Sequence, residues 1–315
     1  MRYSGIGGQA VMEGVMMKNQ DKYAVAVRKP DHEIVVEVSE YDGIIQNKKI
    51  RNFPILRGVF SFIESLTLGM KTLMFSASFF EEEDEKKPGE KDKEKSKEKE
   101  AKQTASEKAM MGGTIVFSVL MAIFIFMLIP YYISLLFQKI TDSQMFIALI
   151  EGILRLAIFI GYVAVISLME DIRRVFMYHG AEHKCINCIE HGMDLTVENV
   201  RKSSKQHKRC GTSFLLIVMI VSIFFFMFIR VDSRVLRLVL RLVLIPVIAG
   251  ISYEFIRLAG RSDNAVVNFL SKPGLWLQNL TTKEPDDEMI EVGIASVEAV
   301  FDWRSYVTEI RQEGK

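Results

Sequence analysis

Apolar residues are concentrated in four long stretches between Gly112 and Leu258, and most of these stretches contain almost no charge. A helix needs about 20 consecutive apolar residues to cross a hydrocarbon core of about 30 Å. The pattern predicts a mainly α, polytopic helical membrane protein with about four transmembrane helices and the lipid bilayer as its surroundings. The first two predicted spans, 112–137 and 145–169, make up the region 112–169. The last two, 213–229 and 235–258, make up the region 213–258.

Charged positions inside these stretches fall into two pairs. Glu151 and Arg155 are four residues apart in the second stretch, so they share a helical face and can neutralise each other. Arg237 and Arg241 are one turn apart in the fourth stretch. They either extend their guanidinium groups to a nearby interface or form an inward-facing basic stripe, which leaves open whether 235–258 fully spans the membrane.

Residues 1–54 are expected to form a cytoplasmic region that contains β-structure. Within it, residues 23–41 alternate apolar and polar positions on either side of Pro30 and Asp31. This alternation predicts a hairpin with turn residues at its centre.

Residues 55–80 form an apolar stretch that is interrupted by Arg57, Glu64 and Lys71. These charges are seven residues apart and therefore share one face of a helix. The pattern favours an interfacial amphipathic helix over 55–80, and a fifth, charged span is the alternative.

The two remaining segments are polar. Residues 81–111 begin with a run of Lys and Glu that cannot bury a core, so they are expected to form a charged, disordered linker. Residues 259–315 are expected to form a C-terminal cytoplasmic region. Within it, residues 284–301 place acidic residues before apolar residues at helical spacing, which predicts a short amphipathic helix.

The charges of the connections predict the orientation of the chain. The connection 170–212 carries eight Lys and Arg residues, whereas the connection after the first span carries one lysine. Because Lys and Arg are retained on the cytoplasmic side, the loop 170–212 and, with four spans, both termini are expected to be cytoplasmic. The net charge of +1 averages unlike parts of the chain and implies no nucleic-acid partner.

Candidate chemistry is concentrated in this connection, which contains His179, Glu182 and His183 in the pattern H-x-x-E-H. On a helix the two histidines project from one face and can bind one zinc ion or another divalent metal. In the inverted zincin pattern the glutamate acts as general base on a metal-bound water. Glu182 is therefore the candidate catalytic base of a metal-dependent hydrolase.

Further metal ligands are available just before the third span, where His207 and Cys210 lie three residues apart. The favoured geometry is a four-ligand site of His179, His183, His207 and Cys210. A closed site of this kind is structural, because a catalytic zinc keeps one position open. If His207 or Cys210 stays off the metal, the site can be catalytic.

Cys185 and Cys188 form a lone C-x-x-C. Zinc ribbons need a second such pair, and no thioredoxin-like pattern surrounds this one. With three cysteines in the chain, no disulfide framework is expected. Either these two cysteines bind metal or they are small packing residues in a reducing compartment.

Gln9 and Glu13 lie four residues apart among glycines, a spacing that fits a helix with one polar edge. One hypothesis brings Glu13 to the metal as a ligand or a catalytic base. The other buries this segment and pairs Gln9 and Glu13 with the basic loop.

Four stretches, "GGQAVMEGVMM", "YHGAEHK", "ENVRKSSKQHKRCGTSF" and "EPDDEMIEV", resemble the YqhQ family of bacterial membrane proteins, which are described as predicted metal-dependent enzymes. The resemblance covers nearly the whole chain outside the Lys/Glu run. It implies a location in the bacterial cell membrane and metal dependence, without defining a reaction. The family pattern supports His179, Glu182, His183, His207 and Cys210 but not Cys185 or Cys188.

Two classes of function follow. The leading hypothesis is a membrane hydrolase with a cytoplasmic metal site and a peptide substrate. The competing hypothesis is a non-catalytic membrane scaffold or assembly factor for other membrane proteins, in which the metal is structural. Both imply the lipid bilayer as a partner.

The orientation is testable with reporter fusions, because reporters that are active on only one side of a membrane locate the residue to which they are fused. Fusions at Lys184, at Lys102 and at Lys315 are expected to report the cytoplasmic side, since the basic loop dominates the charge bias. An external location for Lys184 would overturn the orientation and the reducing environment expected for Cys210.

Overall fold

A computed structural model describes residues 2–44, 53–84, 110, 112–229, 231, 233–262 and 264–313. Most of the predicted linker 81–111 lies outside these ranges.

The N-terminal region is a four-stranded antiparallel meander with strand order β1-β2-β3-β4. The predicted hairpin around Pro30 is confirmed as its second half. The prediction of a helix around Gln9 and Glu13 is wrong, because this segment forms the tight β1–β2 hairpin, with Glu13 in its turn at φ 48°. The strands are β1 (Gly7–Val11), β2 (Gly14–Asn19), β3 (Lys22–Arg28) and β4 (Ile34–Glu40).

Glycines explain why the pattern of apolar and polar positions did not predict the β1–β2 hairpin. A Cβ on Gly8 would lie 2.4 Å from the Met16 carbonyl oxygen, and a Cβ on Gly14 would lie 2.4 Å from the Ala26 carbonyl oxygen. These positions therefore permit close backbone approach and carry no apolar side chain that would reveal the alternation of a strand.

The rest of the described chain is helical. The helices are α1 (Leu56–Asp84), α2 (Gly112–Lys139), α3 (Gln144–Ile166), α4 (Glu170–Glu190), α5 (Val197–Lys202), α6 (Gly211–Met227), α7 (Arg234–Ala259), α8 (Ala265–Thr281), α9 (Asp287–Val300) and α10 (Trp303–Glu313).

Three described helices are long and apolar enough to cross a membrane: α2, α3 and the stretch Val235–Ala259 of α7. The fourth predicted span is the 17-residue helix α6, which at 1.5 Å per residue measures about 26 Å and is shorter than a typical span. The expectation of four spans is thus reduced to three candidate spans and one shorter apolar helix. Their apolar surfaces are compatible with association with a membrane.

Helix α1 is continuous over the stretch expected to be amphipathic, and it packs against α7 and β1. The Arg57 guanidinium forms an ion pair with Glu254 of α7. Arg241 of α7 is 3% exposed and bonds to Glu151, so it forms part of an inward-facing cluster, the second of the two arrangements that the sequence left open.

The connection 170–212 is largely helical. Helix α4 begins with Glu170 and Asp171, acidic residues that complement the positive end of the helix dipole. Its face is buried against the sheet and α9, with Tyr178, Ile186 and Met17 in the shared core. This packing fixes α4 and the histidines on it.

The short C-terminal amphipathic helix is confirmed as α9.

Gly180 allows the closest contact of α4. A Cβ at this position would lie 2.0 Å from the Lys283 carbonyl oxygen, a backbone atom that cannot rotate away. Gly180→Ala is therefore expected to lower the free energy of unfolding by about 1–3 kcal/mol or more.

Thermal unfolding of the purified protein measures this effect, and Gly161→Ala is the matched control. A Cβ on Gly161 meets nothing within 4 Å, so that variant is expected to be neutral or stabilised by up to about 1 kcal/mol. Equal stability of the two variants would contradict the close contact at Gly180.

Candidate functional site

The structure brings together three of the four predicted ligands. One ligand atom from each of His179, His183 and Cys210 lies within 4.8 Å of the others, close enough to hold one metal ion. The Cys210 Sγ is 3.3 Å from the His179 Nε2. Two ligands come from one face of α4 and the third from the residue before α6, as the sequence predicted.

Backbone carbonyls orient both imidazoles. The His179 Nδ1 lies 2.8 Å from the Thr281 carbonyl oxygen, and the His183 Nδ1 lies 2.6 Å from the Lys205 carbonyl oxygen. A carbonyl oxygen can only accept, so each Nδ1 carries a proton and donates it. In the neutral tautomer the Nε2 atoms then keep their lone pairs for the cluster, an arrangement that is typical of metal-binding histidines.

Cys210 is the N-cap of α6, and its Sγ accepts a hydrogen bond from the Thr212 N–H at 3.4 Å. Burial raises the pKa of the Cys210 thiol, but the facing imidazoles of His179 and His183 lower it further, to well below its usual value. The positive end of the helix dipole also favours a thiolate. The surroundings of Cys210 therefore favour the thiolate over the thiol.

His179 carries the complementary charge. Burial lowers its pKa, but the charge of Cys210 and the hydrogen bond between the two side chains raise it to about 9. The opposite shifts of the two pKa values favour an imidazolium–thiolate pair. His179 would have to lose its Nε2 proton for this nitrogen to serve as a metal ligand.

Glu182 lies beside this pair. Its Oε2 is 3.8 Å from the His179 Nε2, and its side chain is buried against the sheet, where a Cβ on Gly8 would lie 3.0 Å from its Cγ. Burial raises the pKa of Glu182, and the two histidines oppose the shift only in part. The structure thus places a carboxyl group of raised pKa next to the three ligands.

A cavity of about 80 Å³ opens onto the cluster. Two parts of its wall lack side chains, at Gly7 and Gly8 of β1 and at Gly211 of α6. Its polar wall consists of Glu182, His207 and Arg209. A small polar group can therefore reach the ligand atoms.

The structure does not support His207 as the fourth ligand. Its ring lies 5.7 Å from that of His183, and its Nε2 faces the Glu190 carboxylate at 3.5 Å. Burial lowers the pKa of His207 to about 4, with Glu190 opposing the shift. His207 is therefore a neutral residue in the cavity wall and does not belong to the cluster of three possible ligand atoms.

Glu190 is a site residue that the sequence analysis missed. Its carboxylate accepts hydrogen bonds from the backbone N–H and hydroxyl of Ser4 and from Arg209. Burial raises the pKa of Glu190, but His207 and Arg209 lower it to about 2. Glu190 thus anchors both the N-terminal segment and the segment that leads to Cys210, and no spacing in the sequence links it to either.

Glu13 does not join the cluster. Its two carboxylate oxygens accept from the Arg174 Nε and Nη2 at 2.6 Å, and the Tyr178 hydroxyl donates to it at 3.1 Å. The placement agrees with the alternative in which Glu13 pairs with the basic loop. Gln9 instead contacts α1, where it donates to the Thr72 hydroxyl.

Cys185 and Cys188 also lie away from the ligand atoms. Both are fully buried in the core between α4 and α9, and burial raises the pKa of each thiol. They are packing residues, as the weakness of a lone C-x-x-C indicated.

The described residues therefore define a mainly helical protein with apolar, membrane-compatible helices, a small antiparallel sheet and a His/His/Cys cluster beside a buried glutamate. The chain belongs to the family described as "Protein of unknown function (DUF1385)", whose sequence model matches residues 53–303. It is also similar to the uncharacterized protein YqhQ of Bacillus subtilis (strain 168), with 37% identity over 301 residues that cover 92% of this chain and 90% of that protein. These matches confirm the YqhQ resemblance. No solved structure matches the chain.

The ligand set can be tested by measuring bound metal in purified variants. Cys210→Ser and His179→Ala are each expected to lose most of the metal. Loss of an outer hydrogen-bond partner alone costs about 10–100-fold in affinity, and loss of a ligand costs more. His207→Gln is expected to retain the metal.

Cys185→Ser is the matched control, because Cys185 is as deeply buried as Cys210 but lies in the core. The assignment fails if His207→Gln or Cys185→Ser empties the site while Cys210→Ser keeps it filled.

Proposed function

We propose that the chain is a zinc-dependent hydrolase of the bacterial cell membrane, with His179, His183 and Cys210 as ligands and Glu182 as the general base. The observation that carries this proposal is the convergence of three ligand atoms beside a buried carboxyl group, with His207 held away. Three protein ligands and an open position are the pattern of catalytic zinc sites.

The donor atoms fit the ion. Zn–N distances of about 2.0–2.1 Å and Zn–S distances of about 2.3 Å separate N and S ligand atoms by about 3.6 Å in a tetrahedron. The 3.3 Å between the His179 Nε2 and the Cys210 Sγ is close to this value. Imidazole and thiolate together suit zinc, whereas magnesium and calcium prefer oxygen ligands.

A zinc ion held here supplies a Lewis acid that polarises a substrate carbonyl and lowers the pKa of water. The chain's own residues supply the proton transfers. Burial raises the pKa of Glu182, which makes its carboxylate a stronger base than that of an exposed glutamate, so it can accept a proton and return it to a leaving group. The Thr281 and Lys205 carbonyls keep both imidazoles in one orientation during these transfers.

Peptides are the substrate class that we propose, because the H-x-x-E-H pattern is shared with metal-dependent peptidases. The proposed location is a multi-pass arrangement in the cell membrane, with the site and both termini in the cytoplasm, as the loop charges favour. The bilayer and other membrane proteins are then the natural partners.

The imidazolium–thiolate pair favours a second candidate, a thiol hydrolase without metal. A cysteine at a helix N-terminus beside a histidine is an activated nucleophile. In that case the Cys210 thiolate attacks the substrate carbonyl, and the leaving group departs with a proton from His179. Water then cleaves the thioester on Cys210, which releases the acid and restores the thiol, while Glu182 has no direct role.

The test of the proposed function uses Glu182→Gln, because the amide keeps the shape of the side chain but cannot accept a proton. Hydrolysis of a fluorogenic peptide library by the zinc-loaded protein is expected to fall by about 10²–10⁴-fold, with bound zinc unchanged. Undiminished hydrolysis in this variant would contradict the role of Glu182 as the general base.

Cys210→Asp distinguishes the remaining possibilities. Aspartate caps helices well and can bind zinc, but it does not replace a thiolate nucleophile. Metal chemistry predicts retained zinc and residual hydrolysis, whereas thiol chemistry predicts none. A wild-type protein that holds zinc and hydrolyses no member of the library supports the scaffold hypothesis.

A further inference from the structure

Helix α8 carries a stripe of exposed apolar side chains. Phe269 is 67% exposed and Trp276 is 56% exposed. The whole apolar stripe consists of Val266, Phe269, Leu270, Pro273 and Trp276. At about 100° per residue these positions share one side of the helix. Large apolar side chains that are exposed side by side mark an interaction surface.

A second side of α8 packs against the start of α6. The Asn268 side chain accepts a hydrogen bond from the Lys208 Nζ at 2.9 Å, and the Thr281 hydroxyl bonds to that of Thr212 at 3.3 Å. Asn268 and Thr281 are separated by about 20 Å along the helix, at 1.5 Å per residue. Their partners are close together in the chain. Helix α8 therefore crosses the beginning of α6 and does not run down its length.

This position is level with the end of a candidate span. The candidate span Val235–Ala259 of α7 is separated from the start of α8 only by residues 260–264. The apolar helix α6 begins beside α8 at Gly211. Where α7 crosses a membrane, a helix that lies across this end is at the level of the lipid headgroups.

The third side of α8 is polar and basic. Lys272 is exposed on it, and its Nζ lies 5.7 Å from the centroid of the Phe269 ring in the apolar stripe. Arg261, just before the helix, is also exposed. The sequence 264–283 contains two lysines and no acidic residue. Helices that lie on membranes combine an apolar side with basic residues next to it, because the cytoplasmic leaflet is anionic.

The aromatic residue in the apolar stripe fits the same surface. Tryptophan is enriched where a membrane meets water, since its ring is apolar and its N–H needs a polar partner. The apolar stripe, the adjacent positive charge and the position at the end of α7 therefore agree on one occupant, a layer of anionic lipid headgroups.

We propose that α8 is a docking surface for anionic phospholipids. The apolar stripe lies at the boundary between headgroups and acyl chains, and Lys272 and Arg261 lie beside the phosphates. Because the Thr281 carbonyl at the end of α8 accepts from the His179 Nδ1, the docked helix holds the His/His/Cys cluster close to the membrane surface. The docking surface rests on the membrane location proposed above and is independent of the hydrolase activity.

The two tryptophans of the chain make the position of α8 measurable. Full-length Trp303→Phe protein keeps Trp276 as its single tryptophan and is placed in nanodiscs of phosphatidylcholine and phosphatidylglycerol. Bromine on the acyl chains near the headgroups is expected to quench Trp276 fluorescence more strongly than bromine near the bilayer centre. Trp276→Phe is the matched control, because Trp303 is 8% exposed in the core beside α4 and should not be quenched.

A third variant separates the docking surface from the membrane location. Phe124 is 50% exposed near the middle of the candidate span α2, so Phe124→Trp in a chain without the other tryptophans should be quenched best by central bromine. Quenching there but not at Trp276 would overturn the docking of α8 and leave the membrane location standing. No quenching at either position would overturn both. Strongest quenching of Trp276 by central bromine would also overturn the proposal, because α8 would then lie in the hydrocarbon core.

The choice of lipid is tested by the headgroup that carries the bromine. Brominated phosphatidylglycerol is expected to quench Trp276 more than brominated phosphatidylcholine at equal mole fraction, and Lys272→Gln should weaken this preference by up to about fivefold. Lys139→Gln is the matched control, because Lys139 ends α2 at the opposite end of α3 from α4 and should keep the preference. Equal quenching by the two lipids, or equal effects of the two lysine variants, would overturn anionic lipid as the occupant.

Discussion

Two hydrogen bonds from imidazoles to backbone carbonyls determine what the candidate site can do. The Thr281 and Lys205 carbonyls accept from the Nδ1 atoms of His179 and His183, so both Nε2 atoms face Cys210. If either ring were reversed, its Nε2 would point away from Cys210 and the three donor atoms could no longer share one ion. The packing of α4 is organised around these contacts, since Gly180 lets the chain at Lys283 approach the helix backbone.

Helix packing and electrostatics cooperate at Cys210. The same sulfur caps α6, accepts from the Thr212 N–H and pairs with His179. Both contacts favour the thiolate, and His179 is the group that lowers the pKa of Cys210 most. Glu182 has the opposite environment, where burial favours the neutral acid. The pKa values of the two neighbouring acidic groups, Cys210 and Glu182, are thus shifted in opposite directions. Shifts of this kind separate acid and base roles in many active sites.

The sequence predicted the local features well. The i, i+4 spacing of His179 and His183, the position of Cys210 before an apolar helix, and the hairpin around Pro30 all follow from short-range periodicity. The prediction failed where contacts between residues far apart in the chain determine the position of a side chain. The Nε2 of His207 faces the Glu190 carboxylate, and the Glu13 carboxylate pairs with Arg174, 161 residues away. Periodicity also missed the β1–β2 hairpin, because glycines occupy positions where the backbones approach closely.

The site draws on residues from nearly the whole length of the chain. The Cβ position of Gly8 abuts Glu182, the ligands lie between 179 and 210, and the Thr281 carbonyl orients the first of them. During synthesis the ribosome has made the ligands long before it makes residue 281. A nascent chain therefore contains the ligand atoms without the geometry, and the cluster that could hold a metal ion is complete only after residue 281 has packed beside His179. Metal binding as proposed above would thus report on the folding of the chain as far as α8.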